Sequence, residues 1–183
     1  MRRVWDIYTD GSCYPNPNGF GGWAVVVVRR NCETWDYQSG HLGNRSEGDR
    51  VVVLSGHRNN ASTNEMELWA IRQAVQHVLT CRRCGEDLTG VEVRVWTDSS
   101  YAKGALSEWW RGWMANGWRT SSLTPVANES LIRETLTMIK GLHACGLPFR
   151  LKKIKGHAGH YYNEVADNHA GAQRIKLRDT FKA

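Results

Sequence analysis

Residues Val93–Ser100 read VRVWTDSS, and Asp6–Ser12 read DIYTDGS. Each is a short run rich in β-branched and aromatic residues that stops at Thr-Asp, a small residue and Ser. A strand ending at an aspartate is commonplace. Asp suits turns and helix N-caps, and either aspartate taken singly reads that way. What the two runs decide is the architecture, because they stand on opposite sides of a change in hydrophobic period.

Working outward from Asp10, Val4–Thr9 is a strand, followed by the turn-rich GSCYPNPNGFGG. Trp23–Arg30, WAVVVVRR, predicts a second strand buried on both faces, and Val51–Ser55 a third. Asn64–Leu79 changes to helical spacing, with Ala70, Ile71, Ala74, Val75 and Val78 on one side and Arg72, Gln73 and Gln76 on the other. Val91–Thr97 is the next strand. A short helix starts near Ser99, and a Trp-rich helical segment follows from Glu108 to about Asn116. NESLIRETLTMIKGLHACG is an amphipathic helix ended by Gly146. Pro148–Lys155 is the last strand, and a final helix opens at Asn163 and runs to about Ile175. Three strands before the first helix imply antiparallel pairs, and the later β-α-β crossovers imply parallel ones. The pattern predicts an α/β fold, a mixed sheet with helices on both faces.

The 183 residues suit a single domain over 1–183, with 31–50 as a surface hairpin or insertion. No apolar run is long enough to cross a bilayer, and MRRVWD passes at once into a strand pattern, so a cytoplasmic location is expected. A formal charge of +6 favours anionic partners. Nine tryptophans, several between Trp109 and Trp118, offer flat apolar surface for a core or for sugars and bases. Five cysteines without a signal segment read as reduced thiols. Cys81-Arg-Arg-Cys84 lacks the second ligand pair of a zinc site and reads as a polar loop.

Two further acids change the reading of Asp10 and Asp98. Glu67 shares the helical stripe of Ile71, Ala74 and Val78, where an ionised carboxylate is costly unless a Lys, an Arg or a metal pairs with it. Asp167 lies one turn into the last helix among Ala166, Ala170 and Gly171, small residues that suit either close packing or a bulky ligand. With the first and fourth strands as parallel neighbours, Asp10 and Asp98 stand one strand spacing, about 4.8 Å, apart. Carboxylates that close repel unless a proton or a cation intervenes. An oxygen-rich, thiol-free set suits Mg²⁺ or Mn²⁺, and a paired-metal site of that kind answers to phosphoryl transfer.

KGHAGHYYNEVADNHA, Lys155–Ala170, together with YTDGSC, NEMEL and WTDSS, closely resembles the type 1 ribonucleases H, in order from about Val4 to Arg174. The resemblance implies the ribonuclease H-like fold with a five-stranded mixed sheet. It also implies endonucleolytic hydrolysis of the RNA strand of RNA–DNA hybrids, by two Mg²⁺ ions for which Mn²⁺ can substitute, leaving 5′-phosphate and 3′-hydroxyl ends. Asp10, Glu67, Asp98 and Asp167 fall on the metal-binding acids. His157, not His160, falls on the loop histidine that assists proton transfer or product release; read alone it is a loop residue between glycines. Cys13, Asn16, Thr63 and Asn64 match positions facing the RNA strand. Tyr101, Trp113 and Ser121 match the groove for the DNA strand, with Trp113 otherwise readable as a core residue. Ser62 and Asn128 match a pocket for a DNA phosphate. A monomer is expected, with the hybrid duplex as partner.

This chain also departs from the family pattern. RGWMANGWRT stands where relatives concentrate lysines, leaving only Arg111 and Arg119 charged. Asn60 stands where some relatives carry an arginine, with Arg58 close by. A junction resolvase of the same broad fold would share the acids but lack GHAGH and the Asn-rich contacts. A silent hybrid-binding module would have lost an acid, and a thiol-redox protein would leave all four acids unexplained.

Overall fold

A computed structural model describes residues 3–31 and 50–182. Five strands, β1 (Arg3–Tyr14), β2 (Gly19–Asn31), β3 (Arg50–Ala61), β4 (Val91–Thr97) and β5 (Phe149–Lys153), form one sheet in the order β3-β2-β1-β4-β5. β1 runs antiparallel to β2 and β2 to β3, whereas β4 is parallel to both β1 and β5. The helices are α1 (Thr63–Arg83), α2 (Ser100–Gly104), α3 (Trp110–Ala115), α4 (Glu129–Ala144) and α5 (Tyr161–Thr180). A π-helical turn, Ala105–Trp109, joins α2 to α3. The hairpin or insertion expected over 31–50 falls almost wholly on residues 32–49, outside the described residues.

The period-2 alternation of the central strands divides their side chains between two cores. Ile7, Val25, Val27 and Val95 pack on one face with Ile71, Ala74 and Val78 of α1 and with Ile132 and Leu142 of α4. Tyr8, Val26, Val28 and Trp96 pack on the other face with Tyr162 and Ala166 of α5. Burying each such aliphatic side chain stabilises the fold by about 1.5–3 kcal/mol, so these two layers fix which way every strand faces. The buried Asp6 accepts a 2.8 Å hydrogen bond from Trp96 Nε1–H and lies 3.1 Å from Arg30 Nε, tying β1 to its neighbours on both sides.

The expected elements all occur, with different bounds. Val91–Thr97 is as expected, but β1 and β2 reach well into the segment expected to be turn, leaving only residues 15–18 between them. Glycines explain the extension. A Cβ at Gly22 would run into the backbone of α5 at Ala170 and Arg174, and one at Gly11 into the backbone of α1 at Met66 and Glu67. These positions are strand residues over which helices pass at close range, and only glycine leaves the space. The Gly11 approach carries Glu67 to the sheet beside Asp10.

Candidate active site

Asp10 lies inside β1, paired with Ala24 of β2, one residue beyond the last β1–β4 pair, Thr9–Thr97. Asp98 immediately follows Thr97. The two carboxylates therefore leave the same end of adjacent parallel strands. Neither does the structural job that its sequence suggests. Asp10 is in a strand rather than a turn, and the cap of α2 is Ser99, whose Oγ accepts from Ala102 N–H at 3.1 Å. Lys153 Nζ donates to the Asp98 backbone carbonyl, fixing the strand end from β5.

Glu67 comes from the second turn of α1. That helix start is set twice: Ser62 Oγ accepts from Glu65 N–H at 3.2 Å, and Asn16 Oδ1 accepts from Thr63 N–H at 3.0 Å. Ser62-x-x-Glu65 is a capping-box spacing that places the helix terminus, and with it Glu67. One ligand oxygen from each of Asp10, Glu67 and Asp98 lies within 4.8 Å of the others. Asp10 and Glu67 are buried, at 6% and 5% exposure.

Among the described residues no lysine or arginine side chain pairs with any of these three acids. Gly11 N–H donates to Asp10 Oδ1 at 2.9 Å, and a hydrogen bond links the Asp10 and Glu67 side chains. Glu67 Oε2 is buried with no hydrogen-bond partner. Burial first, then the charges of Asp98 and Asp167, pushes the Asp10 carboxyl up to about 7. Burial first, then Asp10 and Asp98, holds the Glu67 carboxyl well above the usual range. A cluster of this kind is costly with only protons to quiet it. An orphaned carboxylate oxygen in an all-oxygen set fits a hard divalent cation, Mg²⁺ or Mn²⁺, and does not fit zinc.

Asp167, in α5, stands at the rim rather than in the tight trio. Its side chain is 45% exposed, with Oδ2 3.8 Å from His157 Nδ1. His157 is 83% exposed and takes a positive φ of 49°, in a loop beside the acids. In that loop a Cβ at Gly156 would run into the Asp98 carboxylate, so the glycine makes room for the acid. Gly156, Lys153 and the Asn16–Thr63 contact are functional details that the sequence alone does not mark. The glycine beside His157 in GHAGH is the one visible signal for them.

The positions expected to touch a nucleic acid fall in two groups. Cys13, Asn16, Thr63 and Asn64 gather where the β1–β2 turn meets the start of α1, with Cys13 Sγ donating to Ala61 O at 3.2 Å. Asn128 Nδ2 donates to Tyr101 Oη at 3.2 Å, and Tyr101 Oη donates to Ala127 O at 3.1 Å, holding that ring in place. Trp109 stands edge-on to both Tyr101 and Trp113, at centroid distances of 6.2 and 5.8 Å. Trp113 is half-buried and packs against the core. Ser121 is exposed in the loop after α3. Arg58 Nε lies 3.1 Å from Glu65, so its charge is partly answered. Arg111 and Arg119 donate to the carbonyls of Ser107 and Leu123, at 3.0 and 2.8 Å. Cys81 Sγ sits 3.6 Å from His77 Nε2 and 3.5 Å from Arg29 Nη2, a guanidinium where a second metal ligand would be needed.

A family model described as RNase H matches residues 2–175. The chain is 35% identical over 178 residues to the Ribonuclease H of Chromohalobacter salexigens, covering 97% of this chain and 88% of that protein. It is 34% identical over 168 residues to the Ribonuclease HI of Neisseria meningitidis serogroup B, covering 92% and 93%. Among solved structures it resembles LC9-RNase H1, a type 1 RNase H with the type 2 active-site motif (TM-score 0.68, 22% identity, 94% of this chain and 74% of that one). It also resembles the PFV RNase H domain (TM-score 0.65, 18% identity, 96% of each chain). A foamy viral protease-reverse transcriptase in complex with an RNA/DNA hybrid matches with a TM-score of 0.68 at 15% identity, over 94% of this chain and 20% of that one. At these identities the three structural likenesses speak for the fold alone.

Proposed function

The chain belongs to the ribonuclease H family, nucleases that cleave the RNA strand of RNA–DNA hybrids, and from that premise we propose that it cuts that strand endonucleolytically with two divalent cations, leaving 5′-phosphate and 3′-hydroxyl ends. The observation that carries the reading is Glu67. A buried carboxylate with an orphaned oxygen, facing Asp10 and Asp98 and without a basic partner among the described residues, is a poor structural device and a good cation ligand. The reading takes residues 1–183 as one catalytic domain, acting as a monomer in the cytoplasm.

Asp10, Glu67 and Asp98, with Asp167 at the rim, would hold the ions. Mg²⁺ bound there supplies charge neutralisation, activation of a water and stabilisation of the leaving oxygen. The protein's own contribution is position. Gly11 N–H holds one Asp10 oxygen at 2.9 Å and so fixes the carboxylate beside Glu67. His157, exposed and 3.8 Å from Asp167, can carry a proton to the departing 3′-oxygen.

Recognition of RNA follows from which atoms are already occupied. Asn16 spends its side-chain oxygen on Thr63 N–H, so its amide N–H₂ is the group left to face a 2′-hydroxyl, which DNA lacks. Cys13, Thr63 and Asn64 complete that edge. Ser62 Oγ accepts from Glu65 N–H and keeps its hydroxyl proton for a DNA phosphate beside Asn128. Tyr101, Trp113 and Ser121 face the DNA sugars, where aromatic planes tolerate any base sequence.

End-labelled RNA–DNA, DNA–DNA and RNA–RNA duplexes incubated with Mg²⁺ test the reading. Cleavage confined to the RNA of the hybrid, with products extended by a polymerase from their 3′ ends, is expected. Cleavage of DNA–DNA at a comparable rate, or 3′-phosphate products, would overturn it.

A further inference from the structure

We propose that the groove between α3, α4 and the edge strand β5 docks an acidic peptide segment that carries an apolar anchor residue. The groove has a volume of about 540 Å³ and contains none of the four acids, His157 or the residues assigned to the RNA and DNA strands; Arg111, from the segment standing where relatives concentrate lysines, lines it and donates to the Ser107 carbonyl. Leu106, Leu136, Ile139, Phe149 and Leu151 form its floor, and Met114, 56% exposed, overhangs it. Arg111, Arg133, Lys140 and His143 stand around it, and no aspartate or glutamate lines it.

The helical turns above the groove carry two aromatic faces. Trp109 and Trp113, four residues apart, point with Tyr101 to the side assigned to the DNA strand. Trp110 and Met114, also four apart, line the groove. The cations are arranged by contact rather than scattered. Arg111 lies over the Trp110 ring at 4.5 Å, and Arg133 over the Trp118 ring at 5.3 Å, so charge and flat apolar surface are presented together. Glu129, 3.0 Å away, answers Arg133 in part. Lys140 is exposed and forms no ion pair among the described residues. β5 is hydrogen-bonded to β4 alone among the described strands, which leaves a backbone edge along one wall.

Charge complementarity selects the occupant. A second copy of a chain with net charge +6 would bring more positive charge to a positive rim. A duplex is a stiff polyanion that cannot lower its phosphates onto a concave apolar floor without losing their hydration. An acidic peptide meets both features: carboxylates reach the rim, and one aromatic or long aliphatic side chain fills the floor, as in anchor-and-rim recognition generally.

The probe is a fluorescein-labelled Ac-Glu-Asp-Phe-Glu-Leu-Asp-amide, followed by fluorescence anisotropy and by amide and indole shifts in ¹⁵N spectra. Saturable binding is expected, with shifts centred on Trp110, Lys140 and Leu151. Lys140→Glu should weaken it by about tenfold or more. Thr137→Trp, which fills the groove from an exposed position, should weaken it comparably, and glycine in place of the peptide's Phe and Leu should abolish it. Hybrid cleavage by both protein variants should be unchanged, so a failure here is distinguishable from a failure of the nuclease reading. Absence of binding at millimolar protein, or equal binding by Lys140→Glu, would overturn the proposal. So would displacement of the peptide by an RNA–DNA hybrid, which would make the face a nucleic-acid surface. A dimer lost on Lys140→Glu would do the same in favour of a second copy.

Discussion

Replacing Asp10 with Asn should make the metal-free protein more stable while destroying its activity. The Asp10 carboxyl is raised from 3.8 to about 7, first by burial and then by Asp98 and Asp167. Between those two values the native state holds a proton that the unfolded chain has released, so metal-free stability falls as pH rises from about 4 to about 7. At roughly 1.4 kcal/mol per pH unit, the full penalty above pH 7 is at most about 4 kcal/mol. Glu67 shares the same protons, so about half that, ~2 kcal/mol, is the part that the asparagine alone should relieve. The substituted side chain would keep an oxygen for Gly11 N–H and carry no charge. In a domain of this size ~2 kcal/mol raises the melting temperature by roughly 4–8 °C. Thermal melts in EDTA at pH 8 should show that rise, falling to less than half of it at pH 5. In Mg²⁺ the gap should narrow, because the parent alone is stabilised by the ion. A variant no more stable than the parent at pH 8, or an advantage independent of pH, would refute the electrostatic account of the cluster.

Three other expectations follow from particular contacts. Gly156→Ala puts a methyl against the Asp98 carboxylate; turnover should fall by about tenfold or more, while the melting temperature in EDTA changes little, as single-turnover rates and melts would show. His157→Ala should lower turnover by ~10²-fold with little change in KM, as steady-state kinetics on a labelled hybrid would show. Arg111 and Arg119 are held on local carbonyls, so the plot of log affinity against log salt for metal-free hybrid binding should be shallower than in a relative with a lysine-rich protrusion, by about 0.9 for each phosphate left without a cation; equal slopes would show that other basic residues compensate.

The sequence made the fold legible wherever period and burial agree. Val91–Thr97 is bounded by turn residues and buried throughout, and its bounds were readable. Gly21 and Gly22 read as turn because composition cannot distinguish a glycine that bends the chain from one over which a helix passes; Gly19 packs instead against the turn backbone at Tyr14 and Pro15. The polar end of β3, His57–Asn60, is exposed at the sheet edge and carries no alternation to detect. Asp10 and Asp98 were ambiguous singly, since turn and cap are what Asp does most often. Glu67 broke the ambiguity because a carboxylate on an apolar stripe has few reasons to be there. The division of labour at Asp98 was not legible: Ser99 takes the cap, Gly156 clears the space, and Lys153 holds the backbone, through contacts that lie far apart in the chain.

The central claim is that the four acids hold the metal that does the chemistry. A crystal of the Asp10→Asn protein with an RNA–DNA hybrid, and of the parent without substrate, each soaked in Mn²⁺ and measured at the manganese edge, tests it most directly. Anomalous peaks among Asp10, Glu67, Asp98 and Asp167 in the parent, reduced or lost in the variant, are the predicted result. Peaks elsewhere, or none in a parent that cleaves hybrids in the same Mn²⁺, would contradict it.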